Sequence, residues 1–295
     1  MKYRIIHTTA YEYTDNAEAC QNLVHLQLRD LLTQRCHQTQ LSIDPTPDRI
    51  HEYHDYFGNH VHSFSVYEAH RQLSIRAESV VTYTAAEVTP LEATPQWNAV
   101  RDMLQNDRSP DVVNVLEFRF DSPYVRSSTS LRDLAHEHFP EGRPLGEAVL
   151  SLTKAIQHDF EYDPEATTLD TQLEDVLEKR RGVCQDFAHL LIGSLRSLGL
   201  SCRYVSGYVR TDPQPGRPRL IGADASHAWV GVFCPGSGWL DFDPTNGCRP
   251  SDRHITIGWG RDFHDVSPVK GVVLGGGESS LKVAVDVVPV ESPPT

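Results

Sequence analysis

Three residue types that together can build a thiol nucleophile occur in a workable order: Cys184 at the head of an amphipathic stretch, then His227, then Asp243. The cysteine stands in Arg180-Arg181-Gly182-Val183-Cys184-Gln185-Asp186-Phe187-Ala188-His189. Phe187, Leu190, Leu191, Leu195 and Leu198 recur at helical spacing and Gly199 supplies a stop, so a buried helix is predicted to begin at Cys184. The unpaired N–H groups and the macrodipole at a helix start favour an anion, and hence a thiolate. A cysteine placed there also serves as a small buried apolar residue, and this segment alone does not separate the two uses. Upstream, Thr171-Gln172-Leu173-Glu174 has capping-box form, and Gly182 is expected to turn the chain between two helices.

What a thiol needs is a base and a group to orient that base. Ser226 to Phe233 and Trp239 to Asp243 read as two strands joined by Cys234-Pro235-Gly236-Ser237-Gly238, a turn rich in proline and glycine. If Phe233 faces Trp239, Trp229 falls opposite Asp243, and His227 lies diagonal to Asp243 on the same face. Diagonal neighbours are ~7–8 Å apart at the backbone, within side-chain reach. Asp241 shares that face but pairs near Gly231, so Asp243 is the better partner; a slip of one residue would reverse the choice. Trp229 is expected to shield the His–Asp pair. His189 lies five residues beyond Cys184, about 500° around a helix, and so points away from the sulfur.

Taken together, Gly182 to His189, Ser226-His227-Ala228-Trp229-Val230 and Gly238 to Gly247 resemble the bacterial branch of the transglutaminase-like superfamily. Tyr3-Arg4-Ile5-Ile6-His7 with Tyr11 and Tyr13, and Asp55-Tyr56-Phe57-Gly58-Asn59, resemble that branch's β-sandwich domain. The resemblance implies an α+β fold: a papain/transglutaminase-like core, in which the cysteine helix packs on an antiparallel sheet bearing His and Asp, preceded by the β-sandwich. It also implies a Cys184–His227–Asp243 triad, Asp243 being matched because it directly precedes Pro244-Thr245. The expected chemistry is a thioester formed on an amide of a peptide or protein substrate and passed to water. Transfer of a glutamine acyl group to an amine uses the same residues, and a peptide-binding module with an idle triad is a third reading. The Cys184 N–H is a natural oxyanion donor; Tyr162, Gln185 and Trp229 are further candidates for the oxyanion or substrate. No EF-hand-like acidic loop occurs, so neither metal nor cofactor is expected.

The remaining features bound the setting. A chain of 295 residues, 39% of them hydrophobic, is ample for a core and suggests two domains. The split is expected at residues 1–90 for the β-domain and 91–295 for the catalytic domain. Forty acidic against 27 basic residues give −13, which disfavours nucleic acid or an anionic membrane as a partner. The chain opens into strand-like alternation without an apolar leader core, and no 18-residue apolar run occurs, so a cytoplasmic location is expected. Six cysteines without paired spacing fit reduced thiols. Oligomeric state is not legible.

Along the chain, Gln40 to Ile43, Val61 to Val66 and Leu73 to Val80 alternate as strands, with one short helix expected around Asn22 to Leu32. Ala86 to Pro95 reads as a linker, followed by helical patterning at Trp97 to Leu104, Ser130 to His138 and Leu145 to His158. Asp212 to Arg219, rich in proline, reads as a loop ahead of the His227 strand. Val266 to Leu274 and Leu281 to Val290 read as strands joined by a glycine turn and adding to the catalytic sheet. Fifteen histidines include His60 and His62 on one strand face, yet none has metal-motif spacing.

Overall fold

The computed structural model describes residues 1–85, 89–168, 171–211 and 225–290. The N-terminal half is built on one 23-residue strand, β1 (Lys2–Val24), whose Tyr3, Ile5, His7 and Thr9 alternate inward as period-two patterning demands. It is followed by β2 (Gln34–Asp44), β3 (Arg49–His54), β4 (His60–Val66) and β5 (His70–Tyr83). Residues 2–12 of β1 pair with β5, and Cys20–Val24 pair with β4; β2 lies outside β5 and β3 outside β4. The register breaks between Glu12 and Ala17, where the sheet folds over a core that includes Tyr13, Ala17, Cys20, Phe64, Leu73 and Ile75.

The expected helix at Asn22 to Leu32 does not form. Asn22, Val24, Leu26 and Leu28 are buried at alternate positions, so that stretch is extended, and its apolar spacing serves a sheet.

The second half begins with helices α1 (Trp97–Asn106), α2 (Pro110–Leu116), α3 (Thr129–His136) and α4 (Leu145–Asp159). Of these, α2 was not legible, being a short helix with Pro110 in its first turn and only Val112 and Val115 buried. Then come β6 (Glu161–Tyr162), α5 (Leu173–Lys179), β7 (Arg181–Gly182) and α6 (Cys184–Ser197). A second sheet, the one expected to carry the catalytic His and Asp, consists of β8 (Cys202–Val209), β9 (Ala225–Cys234), β10 (Gly238–Phe242) and β11 (His254–Gly260), in the order β10-β9-β8-β11. Helix α6 lies on β8 and β9; Phe187, Leu190, Leu191 and Leu195 share one core with Cys202, Tyr204, Val230 and Phe242. Its far end is pinned by buried Arg196, which donates to the carbonyls of Phe118, Cys202 and Arg261 and to the Ser122 hydroxyl. Among the described residues no helix is long and apolar enough to cross a membrane.

The chain closes with α7 (Phe263–Val266), β12 (Val269–Gly275) and β13 (Ser279–Pro289). The last two are strands, as expected, but they do not extend the expected catalytic sheet: both pair with β1. The reason is where their apolar residues find partners. Val285 and Val287 are buried with Tyr3 and Ile5 of β1, in a cluster that also takes in Tyr208 and Ile255 of the second sheet. Gly275, Gly276 and Gly277, all at positive φ, make the connecting turn. The expected linker Ala86 to Pro95 lies partly outside the described residues; within it Leu91–Ala93 form a single 3₁₀ turn.

Candidate active site

The site starts with the geometry that makes Cys184 the first residue of α6. The Asp186 carboxylate folds back to accept the Val183 N–H at 2.8 Å and the Thr167 hydroxyl at 2.7 Å. That is a helix-capping role. Gly182 is what permits it, since a Cβ there would lie 2.7 Å from Asp186 Oδ2. The chain reversal between helices, by contrast, falls two residues earlier than expected, on Arg180 with φ +52° after the last turn of α5. Gly182 is therefore needed for close approach rather than for the turn. The capping box expected at Thr171 is also absent: α5 is preceded by Gln172, and the Thr171 hydroxyl accepts the Thr168 N–H instead. At the head of α6 the first N–H groups have no carbonyl one turn back in the helix, leaving donors beside the sulfur.

The hairpin has the expected register, with Trp239 opposite Phe233 and Asp241 opposite Gly231. Continued by one pair, it brings His227 to Asp243, and His227 Nε2 donates to Asp243 Oδ2 at 2.8 Å. The Cys184 thiol lies within electrostatic reach of the same ring. Since Nε2 is committed to Asp243, Nδ1 is the ring nitrogen left to exchange a proton with the thiol. Asp243 is fully buried, and both its oxygens are occupied. Oδ1 accepts the backbone N–H groups of Thr245 and Asn246 at 2.9 and 3.1 Å. Oδ2 also accepts Asn246 Nδ2 at 2.6 Å and His254 Nε2 at 3.0 Å.

These contacts set the charges. Burial disfavours a charged His227, but its hydrogen bond to Asp243, the nearby Cys184 thiol and the charges of both outweigh that cost and push it up to about 10. For Asp243, burial pulls upward, yet the two histidines, the His227 charge and Asn246 hold it well below the usual carboxylate range. A carboxylate and an imidazolium are thus the favoured forms.

Trp229 packs beside His227, with ring centroids 6.2 Å apart, but its one N–H is given to Asp241 Oδ2 at 3.2 Å. It is a wall of the site and has no donor left for an oxyanion. Tyr162 sits in β6, not in a loop, and pairs with Gly182 in a two-residue parallel bridge; it is half exposed. Burial, then the nearby charges of Cys184 and Asp186, raise its phenol, so the hydroxyl lies within electrostatic reach of the thiol. Gln185 is half-buried in the first turn of α6. His189 is buried between Tyr124 and Tyr204 and accepts the Phe263 N–H. Burial pushes it down to about 4. The loop Asp212 to Arg219 lies outside the described residues.

Two contributors were not legible. Asn246 stood inside the quoted motif with no role assigned, although an Asp followed by Pro-Thr-Asn is a turn signal that folds Asn back on Asp. His254 lies in β11, a strand not among the sequence expectations, and its contact with Asp243 depends on tertiary pairing of β11 with β8. The ligand atoms of His227, Asp243 and His254 lie within 4.8 Å of one another, so this trio is able to take a divalent ion if the ring protons leave. Away from the site, His54 and His60 meet at 3.3 Å across β3 and β4.

Residues 3–82 match the family model of the bacterial transglutaminase-like N-terminal region, and residues 132–244 match that of the transglutaminase-like superfamily. An uncharacterised protein of Mycobacterium tuberculosis is 39% identical over a 298-residue alignment that spans 98% of this chain and 93% of that protein. An uncharacterised Mycobacterium leprae protein is 31% identical, spanning 97% of this chain and 98% of its own length. A protein-glutamine gamma-glutamyltransferase of Pseudomonas aeruginosa is 33% identical over 106 residues, 35% of this chain and 16% of that protein. A crystal structure from Cytophaga hutchinsonii, described provisionally as a cysteine protease, superposes with a TM-score of 0.75 at 22% identity. It covers 100% of this chain and 93% of that one, a likeness of fold.

Proposed function

The chain belongs to the transglutaminase-like superfamily, and from that premise we propose that it is a cysteine enzyme acting on amide bonds of a peptide or protein through Cys184, His227 and Asp243. The observation that carries the proposal is a single imidazole bonded to a buried, fully hydrogen-bonded aspartate, with a thiol at a helix start within electrostatic reach of the ring. In the first step the Cys184 sulfur attacks the carbonyl carbon, and the oxyanion is met by the N–H groups opening α6. The C–N bond then breaks as His227 gives its Nδ1 proton to the leaving amine, which leaves a thioester on Cys184. Water, deprotonated by His227, attacks the thioester and releases the acid and the thiol. Asp243 keeps its charge throughout and stabilises the imidazolium.

Hydrolysis is the proposed outcome. Acyl transfer to an amine differs only in the second nucleophile, and the partial match to a glutamyltransferase keeps it as the second reading. The proposed place of action is the cytoplasm, since six unpaired cysteines suit a reducing compartment. The test is to incubate glutamine-containing peptides with the protein, with and without a primary amine, and to follow ammonia release, chain cleavage and amine incorporation. Ammonia or cleavage without need of the amine supports hydrolysis, and incorporation supports transfer. Peptide binding with neither product, unchanged in Cys184→Ala, would show a binding module instead. Activity is expected to survive chelation; its loss on chelation and recovery with added calcium would contradict the metal-free mechanism.

A further inference from the structure

Asp243 Oδ2 receives two imidazole N–H groups, from His227 and His254, and the mechanism above uses only one of them. Resting on the triad reading, we propose that His254 is a positioning residue: it fixes the Asp243 carboxylate in the orientation that keeps the His227 ring aimed at Cys184.

The protonation of His254 follows from its other nitrogen. Nδ1 accepts the Ser251 N–H at 3.2 Å, so the ring proton is on Nε2 and is donated to Asp243. The same turn closes a second time, with the His254 N–H donating to the Ser251 carbonyl at 3.0 Å. Ring and backbone are therefore tied to one short segment, which fixes the tautomer. The ring is also packed edge-on against Trp229, with centroids 5.3 Å apart and planes at 89°. His254 is buried, on β11, while His227 is on β9; the intervening strand β8 presents Gly207 opposite His227. A Cβ at Gly207 would lie 2.3 Å from Trp229 Cη2, so the missing side chain is what lets the indole pack beside both histidines.

The mechanical consequence concerns the carboxylate. Its Oδ1 is held by two N–H groups of the Thr245-Asn246 turn, on the same short segment as Asp243 itself. Of the other donors, Asn246 also belongs to that segment, and His227 is the group to be positioned. His254 is thus the donor that references Asp243 to the catalytic sheet independently of His227. Without it the carboxylate and the imidazole are free to move together, away from the sulfur.

The experiment uses the full chain and iodoacetamide, with alkylation of Cys184 followed by peptide mass at pH 6. An ordinary thiol, of pKa about 8.5, is almost wholly protonated there. Wild type should alkylate at Cys184 at least about 100-fold faster than His227→Ala, which reads out the ion pair. His254→Phe, which keeps the ring volume but not the donor, should slow it about tenfold, the factor expected for one hydrogen bond to a charged group. His254→Gln, whose amide extends to the Nε2 position, should stay within about threefold of wild type. If His254→Phe does not fold, His254→Asn, too short to reach Asp243, should show the loss that His254→Gln escapes. Rates are taken on protein whose thermal transition shows it folded, since a purely structural role would lower Tm in Phe, Asn and Gln variants alike and leave their rates unmoved. Wild-type rates in folded His254→Phe or His254→Asn, with His227→Ala slow, would overturn the role of His254 alone. Equal rates in wild type and His227→Ala would overturn the triad and this inference with it.

Discussion

Asp241 and Asp243 are two residues apart and face the same way; Asp243 is fully buried and Asp241 is half-buried with its Oδ1 closed off from solvent, yet their surroundings push them in opposite directions. Asp243 accepts five hydrogen bonds and is held far below the usual carboxylate range. Asp241 accepts one, from Trp229 Nε1; its Oδ1 and the nearby Arg203 Nε have no hydrogen-bond partner among the described residues. Burial therefore dominates and raises Asp241, despite the charge of Arg203 and the Trp229 bond. Burial depth is not what makes a carboxylate an orienting group. The supply of donors is, and here it comes from a turn, a hairpin partner and a strand three places away in the sheet.

The comparison is broken or sharpened by substitution. The largest effect is expected upstream of both aspartates: Cys184→Ala should abolish turnover, by roughly 10⁵-fold or more, with the fold intact by thermal melt. Next, Asp243→Asn should cost about 10³–10⁴ in kcat, because an amide cannot stabilise the imidazolium or fix its tautomer. Asp241→Asn should leave kcat within about threefold and change Tm little, as it removes a charge that burial already disfavours. Equal losses from the two Asn variants would erase the distinction drawn here.

A pH series tests the same contrast through stability. A carboxyl lowered on folding, as at Asp243, adds stability above its ordinary value of about 3.9 that is lost as pH falls. A histidine raised on folding, as at His227, adds stability below about 6.5 that is lost as pH rises toward about 10. The Tm advantage of wild type over His227→Gln should be widest between about pH 4 and 6.5 and should shrink by several degrees by pH 10. A gap that widened toward pH 10 would contradict the charge assignment. The smallest effect is expected away from either carboxylate: Tyr162→Phe should lower kcat by about threefold or less, and a hundredfold loss would make its hydroxyl an oxyanion donor.

What was legible in the sequence followed from local patterning. Five apolar residues at helical spacing located α6 and put Cys184 at its head, and the Pro-Gly turn fixed the hairpin register that selected Asp243 over Asp241. Failures came where the deciding contact is distant. The alternation in Val266 to Leu274 and Leu281 to Val290 announces strands but not the strand they join, and β1 is more than 240 residues away. His254 carries no pattern tying it to Asp243. Arg180 took the left-handed position because the nearby glycine was needed for the Asp186 cap.

The most direct test of the central claim is to mix the protein with a p-nitrophenyl ester, quench within the burst phase and measure intact mass, mapping any adduct by peptide. The account predicts a near-stoichiometric burst of p-nitrophenol with one acyl group on Cys184, both lost in Cys184→Ala. An adduct on another residue, or an unchanged burst in Cys184→Ala, would contradict it.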